Sequence, residues 1–411
     1  MSLAAALLLA AALGAEARLE TGLRVEARAH RAEPAATPAE ERALDLAATP
    51  RVGLEARAGA FSLLAGYTPR FAVSDVGPDA LTEVLHVGEL RLGWRPGATA
   101  ALALFGTGSA GRTDLVAWDV PGGAGTGSDP TSPTTIATTR RVKLENLRAG
   151  AELRLAPSRR LELGLAGSWF QGGGADEQSR ATNPVVRGVS ASGDLRWNVT
   201  RRDALGIGLA GEQARVAQLR TDSVWASALA TWRRRLSPRA EASAGAGAVV
   251  LESRLPAPAS TGRTTERQTE PAAELGLSWA AAPGVATEGA EPAAEPSRGT
   301  AGELGARLGA SVDRLTGLAV PSLDARALVR WPLGARLTLH AQGAGTLTWP
   351  RAGRTRTGHL SAGADLRLAT WATLDAGAFV TRQWSEVPGV PRVDVWGGLV
   401  GLTLTPRPIG R

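Results

Sequence analysis

The stretch that decides the fold is residues 189–199, VSASGDLRWNV, followed by Thr200-Arg201-Arg202. Val189, Ala191, Gly193, Leu195, Trp197 and Val199 fall on one side, while Ser190, Ser192, Asp194, Arg196 and Asn198 fall on the other. A strand points successive side chains to opposite faces, so this segment is a strand with one apolar and one polar face. Working outward, the same period recurs. Leu19, Thr21, Leu23, Val25, Ala27 and Ala29 oppose Glu20, Gly22, Arg24, Glu26, Arg28 and His30. Leu337, Leu339 and Ala341 oppose Arg336, Thr338, His340 and Gln342, and Leu360, Ala362, Ala364, Leu366 and Leu368 oppose Ser361, Gly363, Asp365 and Arg367. Strands of soluble sandwiches are commonly about 5–6 residues long. These runs are about 9 to 13, the length a tilted strand needs to cross a bilayer.

Composition narrows the classes. The chain has 411 residues, 44% hydrophobic and 21% charged, with Gly 50 and aromatics at only 4%. Such a chain cannot fill a large soluble core with Phe, Tyr and Ile. After the N-terminus no stretch has the roughly 18 uninterrupted apolar residues of a spanning helix. With no cysteine, disulfide scaffolds, thiolate zinc sites and thiol catalysis are excluded. The formal charge of +7 comes almost wholly from arginine, Lys143 being the single lysine. Acids are interleaved with these arginines, whereas a phosphate-binding stripe is a basic block, so nucleic acid is not an expected partner.

Turns alternate in length. Short connections fall at Pro96-Gly97, Pro157 to Arg160, Thr200 to Arg202, Ser237 to Arg239, Pro332 to Gly334 and near Trp371. Longer Gly/Pro/Ser/Thr-rich stretches fall at 119–139, 171–184, 253–269 and 385–390. Short turns on one side and long loops on the other mark a closed membrane barrel. The alternation places strands at 19–29, 50–58, 60–68, 83–95, 98–106, 140–155, 160–170, 185–199, 203–214, 220–234, 239–252, 271–281, 301–313, 320–331, 335–348, 357–369, 372–384 and 391–404. That is an all-β, transmembrane, antiparallel up-and-down barrel of about eighteen strands, with sixteen the next even number. Leu3 to Leu13 form an Ala/Leu run, and Ala15-Glu16-Ala17 offers a small-x-small cleavage site. The expected organisation is therefore a signal peptide at 1–17 and one barrel domain at 18–411. Met1-Ser2 supplies no basic residue ahead of the apolar run, the one departure from a full signal.

Acid-x-Arg pairs recur in strands running toward the short turns: Glu55/Arg57, Glu89/Arg91, Glu152/Arg154, Asp194/Arg196, Asp324/Arg326 and Asp365/Arg367. Residues two apart share a face, and a lipid-facing Arg costs about 2–4 kcal/mol at the midplane, so these twelve are expected to line the lumen. They read as a charged ring that screens solutes, or as an ion-pair ladder bracing neighbouring strands. Trp94, Trp197, Trp232, Trp279, Trp331 and Trp371 sit beside the short turns; Trp118, Trp169, Trp225, Trp349 and Trp384 sit near the opposite ends. Amphipathic rings favour headgroup depth, so the expected aromatic girdles comprise Trp94, Trp169, Trp197, Trp232, Trp331, Trp371 and Trp384 above all.

Chemistry-bearing motifs are sparse. His30, His86, His340 and His359 form no HxxxH or HExxH, and no P-loop, GxSxG or Rossmann fingerprint stands in a strand–helix context. Asp119 and Asp129 in the Gly-rich loop read as solvated loop carboxylates. No catalytic, cofactor or metal residue is expected, and the chain is not expected to be an enzyme.

Export signal, strand length, loop asymmetry and girdles together give a chain that resembles bacterial outer-membrane β-barrels, porin-like in size, over essentially all of the mature sequence. The resemblance implies the outer membrane as location and its lipid as partner. Such barrels usually end on an aromatic residue read by the insertion machinery, whereas residues 402–411 are LTLTPRPIGR. The signal is then internal, around Val395 to Leu404, or the last strand differs. The first strand follows the signal directly, which favours a passive conduit over a plugged receptor. Compact barrels of this kind resemble the outer-membrane component of polysaccharide secretion systems, implying polysaccharide or another polar solute as cargo. The Pro/Ala/Glu-rich segment 281–300 falls on the periplasmic side, as a tolerated insertion or a dock for a periplasmic export protein. The alternatives are a general diffusion porin, with 107–139 as its constriction loop, and a non-transport structural or adhesion barrel.

Overall fold

The structure, a computed structural model, describes residues 16–34, 41–74, 81–114, 141–256, 263–280, 300–313, 317–349, 353–387, 392–407 and 409–410. Strands β1 (Glu16–Pro34) and β2 (Glu41–Ala58) form the first hairpin. They are followed by β3 (Phe61–Tyr67), β4 (Arg70–Ser74), β5 (Leu81–Gly97), β6 (Ala100–Asp114), β7 (Arg141–Ser158) and β8 (Leu161–Gly174). A short helix, α1 (Glu177–Thr182), precedes β9 (Val186–Asn198), β10 (Asp203–Val216), β11 (Thr221–Ser237), β12 (Ala240–Pro256) and β13 (Arg263–Trp279). The remainder is β14 (Ala301–Val312), β15 (Ala319–Leu333), β16 (Leu337–Thr348), β17 (Thr355–Ala369), β18 (Ala372–Ser385), β19 (Val393–Leu404) and the two-residue β20 (Ile409–Gly410). β3 and β4 are halves of one strand interrupted at Thr68-Pro69, both paired with β2 and β5. With β20 a short extension beside β1, the barrel has eighteen strands, all antiparallel, as expected.

The barrel closes where β1 pairs with β2 on one side and β19 on the other, Leu23 meeting both Pro50 and Leu404. In hydrocarbon no water is available for an open edge, so the closed ladder is the one way this sheet can satisfy its backbone. Registers carry the alternation round the wall. Leu205 stands opposite Trp197 and Trp232, while Gly206 stands opposite Arg196 and Thr231. Leu195, Leu205, Ile207, Leu209, Leu275 and Leu360 are all exposed on the apolar face. Apolar area left in water costs about 25 cal/mol per Å², and here lipid covers it.

The short turns gather at one end. There Arg95 N–H donates to the Ala60 carbonyl at 2.8 Å, Asn198 N–H to that of Arg160 at 2.7 Å, and Arg367 N–H to that of Arg336 at 2.7 Å. Gly59 and Gly334 make two of these turns with φ of 56° and 89°, a region that favours glycine. At the other end, Asp176 caps α1 by accepting from Ser179 N–H at 2.8 Å.

The strands outrun the sequence reading. β1 starts at Glu16, ahead of the expected mature start at Arg18, and residues 1–15 lie outside the described residues. β2 starts at Glu41 rather than 50. The stretch 253–269, expected as a loop, is mostly strand: β12 runs to Pro256 and β13 begins at Arg263. The expected loop 119–139 and segment 281–299 lie outside the described residues.

One seam departs from uniform pairing. β13 bonds to β14 from Trp279/Gly302 up to Ala273/Leu308, while β13 continues along β12 to Arg263. Beyond Leu308 the β14–β15 hairpin therefore leaves β13 and can lean elsewhere.

The two faces make a paired prediction. Ile207→Arg on the apolar face should cost about 2–4 kcal/mol in urea unfolding from lipid vesicles. Thr231→Arg, at similar height on the polar face, should change stability by no more than about 0.5 kcal/mol. Equal losses at both positions would refute the face assignment.

Candidate functional site

The polar face concentrates the chain's charge. By register the twelve residues of the acid-x-Arg pairs all lie on it, opposite the exposed leucines. Glu55 and Arg57 bond within β2. Arg91 of β5 reaches across β6 to Glu152 at 2.7 Å. Arg196 lies 3.4 Å from its register partner Glu162, and Arg326 bonds Glu303 of β14. Glu89 stands 3.9 Å from Arg51. Asp324 accepts from Thr346 Oγ1 at 2.8 Å, and Asp365 lies 3.4 Å from His340 Nδ1. Asp194 lies over Gly164 of β8, Arg154 stands opposite that same glycine, and Arg367 stands opposite Thr373.

A second charged group escaped the sequence reading. Glu26, Arg28, Asp45, Arg70 and Glu83 are buried together on the polar face of β1, β2, β4 and β5. The Arg28 guanidinium stands 5.0 Å over the Phe379 ring of β18. Arg24 bridges Glu26 at 3.0 Å and Asp375 at 2.7 Å, tying the closing strands together. Glu26-x-Arg28 is the same acid-x-Arg spacing, but on a strand running the other way. That spacing was the available signal.

The β14–β15 tip packs across the polar face of β10, β11 and β12. Ser223 Oγ donates to the Gly317 carbonyl at 2.6 Å, Ala319 N–H donates to Ser253 Oγ at 3.0 Å, and the two serine hydroxyls are 3.0 Å apart. Val312 packs with Val186, Ala214 and Val216, while Ala310 and Ala319 pack on Leu229, Val249, Leu251 and Ala272. Gly317, at φ +70°, touches Thr221 and Val216 so closely that a Cβ would sit 2.1 Å from Thr221 Oγ1. Trp225 lies in this contact, on the polar face opposite Leu251, instead of in a girdle. Its neighbours along the strand, Ser223 and Ser227, share the polar face, and the alternation there was too mixed to show it.

Trp94, Trp169, Trp197, Trp232, Trp331, Trp371 and Trp384 are all exposed on the apolar face, and Trp118 lies outside the described residues. The histidines bind wall partners: His30 to Asp45 at 3.5 Å, His86 to Tyr67 Oη at 2.7 Å, His340 to Asp365, and His359 to Thr381 Oγ1 at 2.8 Å. Among the described residues no three His, Asp or Glu side chains converge to hold a metal ion. What the wall offers is paired charge and hydroxyls, a surface that water wets.

The model of the EpsX exopolysaccharide export family matches residues 10–409. Among solved structures, Pseudomonas aeruginosa OccK2 (OpdF) in complex with glucuronate is similar at 12% identity and a TM-score of 0.44, over 94% of this chain and 98% of that one. P. aeruginosa OccK5 (OpdH) is similar at 9% identity and 0.42, over 95% and 98%, and OpdK with vanillate at 13% and 0.43, over 95% and 98%. No curated protein matches the chain.

The hairpin contact is testable on its own. Gly317→Ala should dislodge the tip, because the new methyl meets Thr221 in a backbone region that disfavours it. Hydrogen exchange at the Ala319 amide should speed up by about tenfold or more, with Ser253→Ala producing a smaller rise. Unchanged exchange in both variants would show that the tip is not held there.

Proposed function

The chain belongs to the EpsX exopolysaccharide export family, and from that premise we propose that it carries an exopolysaccharide from the periplasm across the outer membrane. It is a bacterial outer-membrane channel in architecture, a closed barrel of eighteen strands. Barrels of this size leave an aqueous interior unless something fills it. The family match over 10–409 carries the reading, because it spans the whole barrel.

The polar wall suits that cargo. Glu55, Arg57, Glu89, Arg91, Glu152, Arg154, Asp194, Arg196, Asp324, Arg326, Asp365 and Arg367 line the lumen in this reading. Partly exposed ion pairs such as Arg91–Glu152 contribute only about 0–1 kcal/mol each to stability. Their more consequential effect is to keep the wall wet and locally neutral, so that a hydroxyl-rich polymer exchanges hydrogen bonds along it without being trapped. The tryptophans on the apolar face seat the barrel at headgroup depth. Residues 1–17 act as the export signal and 18–411 as the one barrel domain.

A periplasmic export protein completes the path. Trp279 and Ala301 bracket the Pro/Ala/Glu-rich segment at the short-turn end, which this reading places in the periplasm. A segment of that composition is a dock for such a partner, delivering polymer to the barrel mouth.

Deletion of the gene should abolish surface exopolysaccharide and leave polymer in the periplasm, while uptake of small solutes is unchanged. Removal of 281–299 should reproduce the export defect yet leave the conductance of the purified channel in planar bilayers intact. Normal surface polysaccharide in the deletion strain, with impaired solute uptake, would establish the diffusion porin instead.

A further inference from the structure

Four aromatic rings of the described barrel strands lie on the polar face: Phe105, Phe170, Trp225 and Phe379. Two are committed to packing. Phe379 is buried at 5% exposure with Val393 and Val395, and Trp225 lies under the β14–β15 tip. Phe105 and Phe170 are partly buried, as Trp225 is, but Trp225 packs against both clusters beneath the tip. Phe105 stands outside the buried apolar clusters, and Phe170 packs against the edge of one, that of Val186, Ala214, Val216 and Val312.

Glycine sets how these two rings lie. Phe105 is the register partner of Gly150, and Phe170 is the register partner of Gly188. A Cβ on Gly150 would stand 2.6 Å from Phe105 Cζ, and one on Gly188 would stand 2.5 Å from Phe170 Cζ. Each ring therefore leans sideways over a bare neighbouring backbone, with one face on the wall and the other turned away from it. Arg148 stands between them, opposite Phe170 in register and with its guanidinium 5.8 Å from the Phe105 ring centre.

The charge on Arg148 is the second observation. Its Nε donates to Ser168 Oγ at 3.1 Å, and Ser168 Oγ is 2.8 Å from Ser190 Oγ. Among the described residues its terminal nitrogens meet no carboxylate, whereas Arg91 and Arg196 on the same wall are paired with Glu152 and Glu162. A guanidinium offers a planar fork that matches a carboxylate. A flat ring face offers apolar area to the C–H side of a sugar ring.

We propose that Phe105, Arg148 and Phe170 form a saccharide subsite in the lumen, where pyranose rings stack on the two phenyl faces and a sugar carboxylate engages Arg148. This rests on the export reading and narrows its cargo to an acidic polysaccharide, one bearing uronic acid units. The subsite sits on one side of the wall, so it guides a chain along that side and leaves the rest of the lumen open.

The test uses the full-length channel in planar bilayers, with hexagalacturonate as the acidic probe and maltohexaose as the neutral one. Wild type should be blocked about tenfold more tightly by hexagalacturonate than by maltohexaose. Arg148→Gln should abolish that preference and change maltohexaose block by less than about twofold. Phe105→Leu and Phe170→Leu keep an apolar cover over Gly150 and Gly188 but lose the flat face, and should weaken block by both sugars by about fivefold. Sugar-free conductance equal to wild type verifies that each variant forms the barrel. If wild type is blocked and the leucine variants are blocked equally well, or Arg148→Gln keeps the acidic preference, the subsite is overturned while the export reading stands. If wild type conducts and neither sugar blocks it, the subsite is overturned, while the export reading is decided separately by the surface polysaccharide of the deletion strain.

Discussion

Everything in this molecule follows from one requirement: a backbone placed in hydrocarbon must satisfy every N–H and C=O within the protein. Closing β1 onto β19 meets it, and closure then fixes the rest. Once the ladder is shut, each strand has a lipid face and an opposite face, and a one-residue slip anywhere would exchange them. The charges of the acid-x-Arg pairs are tolerable only because the register keeps all of them off the leucine face. Departures from full pairing are therefore informative. The β13–β14 seam stops at Ala273/Leu308, above which Arg263, Thr265, Arg267 and Thr269 stand where the apolar face would otherwise continue. With such residues the strand end has left the hydrocarbon, and the backbone there can bond to water instead.

The glycine content has a spatial cause. On the polar face, side chains repeatedly lie over a glycine of the adjacent strand: Glu89 over Gly66, Asp194 over Gly164, Asn146 over Gly172, Glu274 over Gly245 and Asp375 over Gly401. In each case a Cβ would collide, with contacts between 2.2 and 2.8 Å. Long polar side chains can thus fold down along the wall instead of projecting from it. The same arrangement turns Phe105 and Phe170 flat. Glycine normally weakens a strand by about 0.5–1 kcal/mol relative to alanine. A ladder this extensive absorbs that loss, and the wall gains a thin profile.

The fold was legible because a period of two sustained over about ten residues is the mark of a strand with two unlike faces. Val189 to Val199 showed it on its own. Legibility failed where the environment ceased to be one-sided. The upper part of β13, Arg263 to Glu270, is polar on both faces, so it read as loop although it continues the ladder along β12. The β14–β15 tip could not be read at all: Ser223 and Gly317 are 94 residues apart, and no local pattern announces their hydrogen bond. The buried group around Arg28 was hidden for a related reason. Glu26, Asp45, Arg70 and Glu83 come from four strands, and only the closed sheet sets them side by side.

Charge pairing along much of the wall is also the reason an arginine without a carboxylate can matter. Opposite charges within a few ångströms largely cancel beyond the screening length of about 8 Å at physiological salt. At longer range a wall such as Arg91–Glu152 or Arg196–Glu162 is therefore a polar but nearly neutral surface. Arg148, like Arg330 and Arg367, meets no carboxylate among the described residues, and it alone of the three has phenyl rings beside it. Its neighbours Ser168 and Ser190 are hydroxyls that accept without neutralising, and Phe105 adds only a ring quadrupole. The field there is set by the guanidinium itself. Specificity in a conduit of this kind then depends on where neutrality is withheld, and the β6–β9 wall withholds it beside two rings that lie flat.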